Sequence, residues 1–270
     1  MRFALDPHLK TRIGRRLHAI FLVGVMVPMG AALLLSFYQV ESEVEREREA
    51  ELRRGAKEAG LAIFDRLELV DNEVAVLAGA YEADPEGLPS LTVDSPQYAT
   101  PRFRWAGIDP AQGDPVAVLG EIQDVEPLTA AESAQMAAGR PVIRMRLNGG
   151  PGMLLGRAID PEAVEKGVVW SEIDRAYLLR AGDGDVAYLT EAHLCLFMGS
   201  TPIHCSISAD TQLGEHLVLA REQGDGGLFD WDPGEGAYAA GYWTLFLRYA
   251  YSADSWTVVL TESREAMLAP

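Results

Sequence analysis

The first pattern along the chain is an apolar run of 24 residues, Leu17 to Val40, that contains no Asp, Glu, Lys or Arg. As a helix it would extend about 36 Å, and the hydrocarbon core of a membrane is about 30 Å thick. Pro28 lies inside the run, where membrane helices tolerate proline, and Phe37 and Tyr38 suit the membrane–water interface. The run predicts a transmembrane helix. The alternative, a cleaved signal peptide, has an apolar core of only about 7–15 residues before a small-residue cleavage site.

Residues 41–84 have the apolar period of a helix. Charged pairs three or four residues apart mark a solvated face; they are Glu43/Arg46, Glu45/Arg48, Glu49/Arg53 and Glu51/Arg54. Apolar residues recur about every 3.6 positions; they are Leu52, Ala56, Ala59, Ile63, Leu67, Val70, Val74, Leu77 and Tyr81. The pattern predicts one long membrane-proximal helix with a buried stripe. Because the stripe is not a strict heptad, packing onto the following domain is favoured, and pairing with a second copy of the helix remains open.

Short strands and turns replace the helical pattern over residues 85–262. The candidate strands are Phe103–Ile108, Val116–Glu121, Val142–Leu147, Met153–Ile159, Val186–Thr190, Leu194–Phe197, His204–Ile207, a broken segment Ala237–Tyr251, and Trp256–Leu260. The candidate helices are Thr129–Ala138, with Thr129 and Glu132 spaced as a capping box, Ser171–Leu179 and Gln212–Arg221. Hairpin-sized connections between the strands predict an antiparallel sheet with flanking helices, and therefore the α+β class.

Two further segments complete the organisation. Acidic residues interleaved with Gly and Pro predict a solvated loop around residues 225–235. Residues 263–270 have the composition of the start of a helix, which we expect to lead to a second transmembrane segment.

Charge is unevenly divided along the chain. The sequence has 23 basic and 40 acidic residues, for a net charge of −17, yet residues 1–16 carry a net charge of +4. Such an acidic chain is not expected to bind nucleic acid. The positive-inside rule places the basic tail in the cytoplasm and the chain after Val40 outside it.

The two cysteines of the sequence, Cys195 and Cys205, are centred on Ser200 within a Gly/Ser/Pro turn. A hairpin that closes there sets the two side chains opposite each other, which is compatible with a disulfide, and an extracytoplasmic location supplies the oxidising environment. A metal site with His193 and His204 is less favoured, because strand alternation directs His204 to the other face. A reactive thiol pair is the third alternative.

No motif of an enzyme is present in the sequence. We find no nucleophile elbow, P-loop, paired metal-binding histidines or dinucleotide fingerprint. We therefore expect no catalytic site, metal or cofactor in these residues, and the chain has the character of a receiver.

The organisation resembles the periplasmic Cache-type, PAS-like sensor region of bacterial transmembrane signalling proteins. The resemblance rests on the basic tail, the span, the long helix, the cysteine hairpin and two C-terminal stretches, Tyr242–Leu247 and Ser255–Glu262. It is greatest with membrane-bound GGDEF/EAL proteins, which make or degrade cyclic di-GMP. The resemblance implies an inner-membrane protein whose residues after Val40 are periplasmic and whose cytoplasmic output domain follows Pro270. Cache domains that bind amino acids share an Arg-x-Trp-Tyr stretch; here Arg104-Trp105-Ala106 departs from it, so an amino-acid ligand is not implied.

A ligand pocket is expected between the sheet and its helices. The candidate ligand-binding residues are Arg104, Trp105, Arg144, Arg146, Arg157, Trp170 and Tyr177. Arg144 and Arg146 alternate with apolar neighbours and therefore share one face of their strand; surface ion pairing is the alternative role for the arginines. The first hypothesis is a membrane-anchored sensor of an unknown small molecule, acting as a homodimer, with a diguanylate cyclase or phosphodiesterase output; a histidine kinase or chemoreceptor output is the alternative. The second is a single-span protein that binds another protein in the periplasm.

Overall fold

The computed structural model describes residues 16, 20–87, 102–111, 113–146, 152–179, 192–208, 210–234 and 236–267. The helices of this part are α1 (Val27–Ala83), α2 (Ala130–Ala137), α3 (Arg175–Leu178), α4 (Asp210–Arg221), α5 (Arg248–Tyr251) and α6 (Arg264–Met267). The strands are β1 (Phe103–Pro110), β2 (Val116–Leu119), β3 (Val142–Arg146), β4 (Gly152–Ala158), β5 (Gly167–Ile173), β6 (His193–Met198), β7 (Thr201–Cys205), β8 (Gly226–Trp231), β9 (Tyr238–Leu245) and β10 (Trp256–Ser263). The fold is α+β, as the sequence predicts.

The apolar run and the long amphipathic pattern belong to one continuous helix. A π-helical turn, Leu22–Met26, leads directly into α1, and Pro28 lies at the start of α1. Among the described residues this is the one helix long and apolar enough to cross a membrane, and none of its most apolar window is buried. Most of the basic tail and residues 17–19 of the predicted span lie outside the described residues.

The predicted stripe of α1 is the side on which the helix is buried. Its positions from Leu52 to Leu77 are all 7% exposed or less, and Tyr81 is half-buried. The N-terminal part of the stripe, near Leu52, packs on β9 and β10, and the C-terminal part, near Leu77, packs on β4 and β5. At Gly241 of β9 the strand lies so close to the backbone of Leu52 that a Cβ atom would have no room. The helix therefore docks on its own domain, as the pattern favours.

The described strands form two antiparallel sheets with the same topology. The first sheet has the order β2-β1-β5-β4-β3 and the second β7-β6-β10-β9-β8. The first sheet is covered by α1 on one face and by α2 with the segment before it on the other. In the second sheet, α1 covers one face and α4 the other. The sequence predicts an antiparallel sheet without deciding between one module and two; the described strands form two similar modules along one helix.

Several sequence-based boundaries need correction. The predicted helix Ser171–Leu179 is wrong, because residues 167–173 form the central strand β5 and the helix is confined to Arg175–Leu178, capped by Asp174. Every residue of β5 is buried, so its sequence lacks the alternation that identifies a half-exposed strand. The segment predicted as an acidic loop contains β8, whose apolar residues pair with β9.

Other boundaries shift by a few residues. The strand predicted at His204–Ile207 is β7 and ends at Cys205, the broken segment Ala237–Tyr251 divides into β9 and α5, and the strand from Trp256 continues to Ser263. The strand predicted at Val116–Glu121 ends at Leu119. The strand predicted at Val186–Thr190 lies outside the described residues. The capping box of Thr129 and Glu132 and the helix Gln212–Arg221 are confirmed.

The cysteine hairpin forms as predicted. Cys195 on β6 and Cys205 on β7 are directly opposite each other and are joined in a disulfide, with their Cα atoms 4.0 Å apart. Gly199 and Ser200 form the turn between the strands. The disulfide therefore ties an edge strand of the second sheet to its neighbour.

The packing of α1 leads to a stability prediction. Leu67 is fully buried on α1, so Leu67→Ala should lower the free energy of unfolding by about 2–5 kcal/mol through lost burial and a cavity. Leu219 of α4 is 61% exposed, and Leu219→Ala should change it by less than about 0.5 kcal/mol. Denaturant unfolding of the two variants in detergent, followed by circular dichroism, measures the difference. Equal effects would contradict the packing of the stripe.

Candidate functional site

The face of the first sheet that is turned away from α1, here the outer face, carries most of the candidate ligand-binding residues. On β3 the side chains of Ile143 and Met145 pack toward α1, whereas those of Arg144 and Arg146 project from the opposite side. The alternation predicted from the sequence is therefore observed. Trp105 and Trp170 lie on the same outer face within a separate apolar cluster.

A buried carboxylate organises one half of the outer face. Glu172 of β5 is 1% exposed and accepts hydrogen bonds from Trp105 Nε1 at 2.8 Å, Arg146 Nη2 at 2.9 Å and Arg104 Nη1 at 3.0 Å. A buried carboxylate is tolerated only when charged and polar donors compensate for lost hydration. The three donors satisfy that requirement and fix the positions of both arginines.

An irregularity in β1 allows two adjacent residues to reach the same carboxylate. Phe103 pairs with Ile173 and Trp105 with Glu172, so Arg104 is an extra residue in β1. In a regular strand, neighbouring side chains point to opposite faces. The β-bulge at Arg104 changes that direction, as bulges commonly do beside functional sites.

A second ion pair organises the other half of the outer face. Both ends of the Arg144 guanidinium bind Glu132, with Nε–Oε1 and Nη2–Oε2 distances of 2.6 Å. The guanidinium also lies 5.0 Å from the ring centre of Trp170. Hydrogen bonds from Arg144 lower the pKa of Glu132 to about 2, with help from its capping bonds to Thr129. The ion pair joins α2 to the sheet.

A cavity of about 680 Å³ opens between the outer face and the segment from Gly120 to Val125. The two indoles of Trp105 and Trp170 contribute to its lining, together with Ile122 and Val125. Its carboxylates are those of Asp109, Glu121 and Asp124. The arginines of the outer face are bound to Glu172 and Glu132, which leaves an aromatic cavity with an acidic rim.

The structure brings together five of the seven candidate ligand-binding residues. Arg104, Trp105, Arg144, Arg146 and Trp170 all contact Glu172, Glu132 or each other on the outer face. Trp105 and Trp170 line the cavity, whereas Arg104 lines a separate cavity with Arg175 and His204.

The other two candidates lie apart from this group. Arg157 faces α1, where its Nη1 atom is 2.7 Å from Asp71 Oδ1, and Tyr177 lies in α3 with the guanidinium of Arg102 over its ring. Residue-type reasoning could not separate these two from the others, because the separation depends on the direction of each side chain from its strand or helix.

Sequence reasoning missed the central carboxylate. Glu172 is the lone acidic residue in the segment Gly167–Ile173, and this isolation in an apolar run is a signal that could have identified it. The assignment of the segment to a helix concealed the signal. Gln123, which bonds Arg146 Nη1 and lines the cavity, gave no signal of its own.

Comparison with known proteins identifies the fold. No protein-family model and no curated protein matches the sequence at a significant level. The ligand-binding domain of the Pseudomonas aeruginosa amino acid chemoreceptor PctB, in complex with L-Arg, superposes with a TM-score of 0.60 at 12% identity, covering 83% of this chain and 99% of that one.

Two further solved structures share the fold. The extracellular domain of vpHK1S-Z8, described as a histidine kinase, gives a TM-score of 0.59 at 10% identity, covering 84% of this chain and 97% of that one. A domain described as part of a sensory box/GGDEF family protein from Vibrio parahaemolyticus gives 0.55 at 12% identity, covering 84% and 99%. Similarity at this level of identity establishes a shared fold, since one fold serves many functions.

The ion pair of Glu132 predicts a dependence of stability on pH. Its folded pKa of about 2 lies below the ordinary value of 4.5, so its contribution is present above about pH 5 and is lost as the pH falls toward 2. Arg144→Met should therefore lower the melting temperature at pH 6, and the difference from the wild type should shrink at pH 3. Thermal unfolding at both values, with a carboxyl NMR titration of Glu132, measures this. Arg140→Met, which removes an arginine bonded to the Tyr249 carbonyl, is the control and should show the same difference at both values.

The buried carboxylate yields a second prediction. Glu172→Met should cost about 3–5 kcal/mol of unfolding free energy, because it leaves Arg146 without its carboxylate partner in a partly buried site. The double variant Glu172→Met/Arg146→Met should recover part of that loss. Chemical denaturation measures both, with Glu58→Met on the exposed side of α1 as the matched control. If the double variant loses as much unfolding free energy as Glu172→Met and Arg146→Met lose separately in total, the pairing of Glu172 with Arg146 is contradicted.

Proposed function

We propose that this chain is the extracytoplasmic ligand-sensing portion of a bacterial transmembrane signalling protein. The observation that carries the proposal is the cavity of about 680 Å³ on the outer face of a fold shared with ligand-binding domains of signalling proteins. A cavity of this size matches those that enclose small organic ligands. The exposed apolar start of the N-terminal helix supports anchoring in the inner membrane, with the two sheets in the periplasm.

The lining of the cavity supports a small organic cation as the ligand. The carboxylates of Asp109, Glu121 and Asp124 line the cavity beside the indoles of Trp105 and Trp170, and carboxylates form charge-assisted hydrogen bonds with ammonium and guanidinium groups. The outer-face arginines, which would otherwise attract an anion, are already bound to Glu172 and Glu132. Within the described residues Asp109, Glu121 and Asp124 have no cationic partner within 4.0 Å, so an amine or guanidinium ligand would meet their negative charge.

The signal would travel through α1 and α6. Arg157 on β4 binds Asp71 of α1, so a change in the first sheet is coupled directly to the helix. At the other end of the domain, Arg264 of α6 binds Glu45 and Glu49 of α1. A shift of the C-terminal part of α1 relative to α6 would reach the membrane through this joint.

A homodimer and a cyclic di-GMP output complete the proposal. Leu61, Leu69 and Val76 form an exposed apolar line along α1, spaced by eight and seven residues, which would suit a second copy of the helix. The output domain would follow Pro270 and would be a diguanylate cyclase or phosphodiesterase, in keeping with the resemblance of the C-terminal stretches. The similarity to chemoreceptor and histidine kinase domains supports a chemoreceptor or histidine kinase output as strongly as the similarity to a GGDEF protein supports a cyclase.

Ligand screening tests the proposal. The full chain in nanodiscs should be stabilised by one or more small cations, such as putrescine, choline, histamine or arginine, in a thermal-shift assay, and not by succinate or citrate. Saturation at about 100 times the dissociation constant should add about 2.7 kcal/mol to the free energy of unfolding.

Variants of the rim give the control. Asp109→Asn/Asp124→Asn should weaken binding of the active cation at least tenfold, about 1.4 kcal/mol. The matched double variant Glu58→Gln/Glu86→Gln removes two exposed carboxylates away from the cavity and should leave affinity unchanged. Stabilisation by anions alone would overturn the cation assignment. Absence of stabilisation by any small molecule would favour a periplasmic protein partner.

A further inference from the structure

A second cavity lies at the other end of the domain, between α1 and the edge of the second sheet. It has a volume of about 440 Å³. The residues of α1 that line it are Arg46, Glu49, Ala50, Arg53, Arg54 and Lys57, and those of the sheet are Leu228 and Trp243. We call it the basic cleft. It shares no lining residue with the cavity on the outer face.

The cations of the basic cleft lack the partners that their sequence spacing suggests. Glu49 and Glu51 are spaced to pair with Arg53 and Arg54, but Glu49 accepts instead from Arg264 Nη2 at 3.1 Å, and Glu51 from Arg48 Nη1 at 3.2 Å. Within the described part of the chain, neither Arg53 nor Arg54 has a carboxylate within 4.0 Å. Two exposed guanidinium groups therefore face the cleft without compensation.

The remaining cations add to this positive charge. Arg46 has one carboxylate partner, Glu43, at 4.0 Å, and both side chains are more than three-quarters exposed, so the pair is weak. Lys57 lies over the Trp243 ring with its Nζ atom 5.1 Å from the centroid. Four cations and one occupied carboxylate thus line a single cleft in a chain with a net charge of −17.

The floor of the cleft is apolar and rigid. The Trp243 indole is held between Gly60 of α1 and Gly226 of β8, where a Cβ atom would come within 3.0 Å and 2.7 Å of the ring. Leu228 beside it is 41% exposed. An indole fixed in this way offers a flat surface for an aromatic or aliphatic group next to the guanidinium groups.

We propose that the basic cleft binds a soluble anion that carries an apolar group, such as a carboxylate or phosphate monoester attached to a ring or a short alkyl chain. Its charge would bind Arg53 and Arg54 in the bidentate geometry that guanidinium favours, and its apolar part would cover Trp243 and Leu228. At 1.5 Å per residue, Arg53 is about 20 Å beyond Val40 along the helix, whereas the headgroup layer is only about 5–8 Å thick. The ligand is therefore a molecule of the aqueous compartment and not a lipid headgroup.

Binding of defined probes tests the proposal. The full chain is placed in nanodiscs of zwitterionic lipid and titrated by calorimetry with phenyl phosphate, inorganic phosphate and phenol. We expect phenyl phosphate to bind at least tenfold more tightly than inorganic phosphate, and phenol not to bind at concentrations up to about 10 mM. Arg53→Gln/Arg54→Gln should weaken phenyl phosphate binding at least tenfold. Trp243→Leu should remove the preference for phenyl phosphate over inorganic phosphate.

A matched variant and a lipid titration complete the test. Lys166→Gln/Arg248→Gln removes two cations outside the cleft, and affinity should stay within about twofold of the wild type. The proposal is overturned if phenyl phosphate fails to bind the wild type up to about 10 mM or binds the Arg53/Arg54 variant equally well. It is also overturned if the Arg53/Arg54 substitutions leave phenyl phosphate binding unchanged and weaken only the binding of the chain to phosphatidylglycerol vesicles, since the anion would then be a lipid. None of these outcomes depends on the cavity of the outer face.

Discussion

The burial of one apolar stripe on α1 is the constraint on which the rest of the structure depends. Neither sheet is closed on the side that faces the helix, and each needs an apolar partner for its inner residues. The stripe from Leu52 to Leu77 supplies that partner to both sheets in turn. Two modules of the same topology therefore pack on one helix, and a movement of α1 would change its contacts with both sheets. The same helix continues into the segment that can cross a membrane.

With the inner faces committed to packing, the chemistry of the domain lies on its other surfaces. On the outer face of the first sheet, the buried Glu172 needs charged and polar partners, and Arg144 and Arg146, which bind Glu132 and Glu172, are largely withdrawn from the solvent. The polarity and charge of the cavity are therefore set by the other lining groups, which include two indoles and three carboxylates. An arginine-rich outer face therefore need not attract anions, because the buried carboxylates determine the charge that a ligand would meet.

Sequence reasoning succeeded where local periodicity determines the structure. The helical stripe of α1, the capping box at Thr129 and the cysteine hairpin each depend on spacing within a few turns or one pair of strands. It failed at β5, since a strand buried on both sides has no alternation, and local propensity cannot decide between helix and strand in a short apolar run. Arg157 and Glu172 lie on opposite faces of the sheet because of the pairing between β4 and β5. This could be inferred from the sequence only if residues 167–173 were first assigned to a strand.

The ion pairs of α1 show a second limit of local reasoning, because they join segments that are far apart in the sequence. Spacing alone assigns Glu45 and Glu49 to arginines on the same helix, but Arg264, 219 residues from Glu45 in the sequence, binds both and also Asp230. One arginine that binds three carboxylates holds α6 against the N-terminal part of α1. Because Glu49 binds Arg264, it does not pair with Arg53. One ion pair, Arg264–Glu49, therefore both attaches α6 to α1 and leaves the positive charge of Arg53 in the basic cleft. A change in the position of α6 would return Glu49 toward Arg53 and alter the cleft, because a carboxylate released from Arg264 has cations of its own helix within reach.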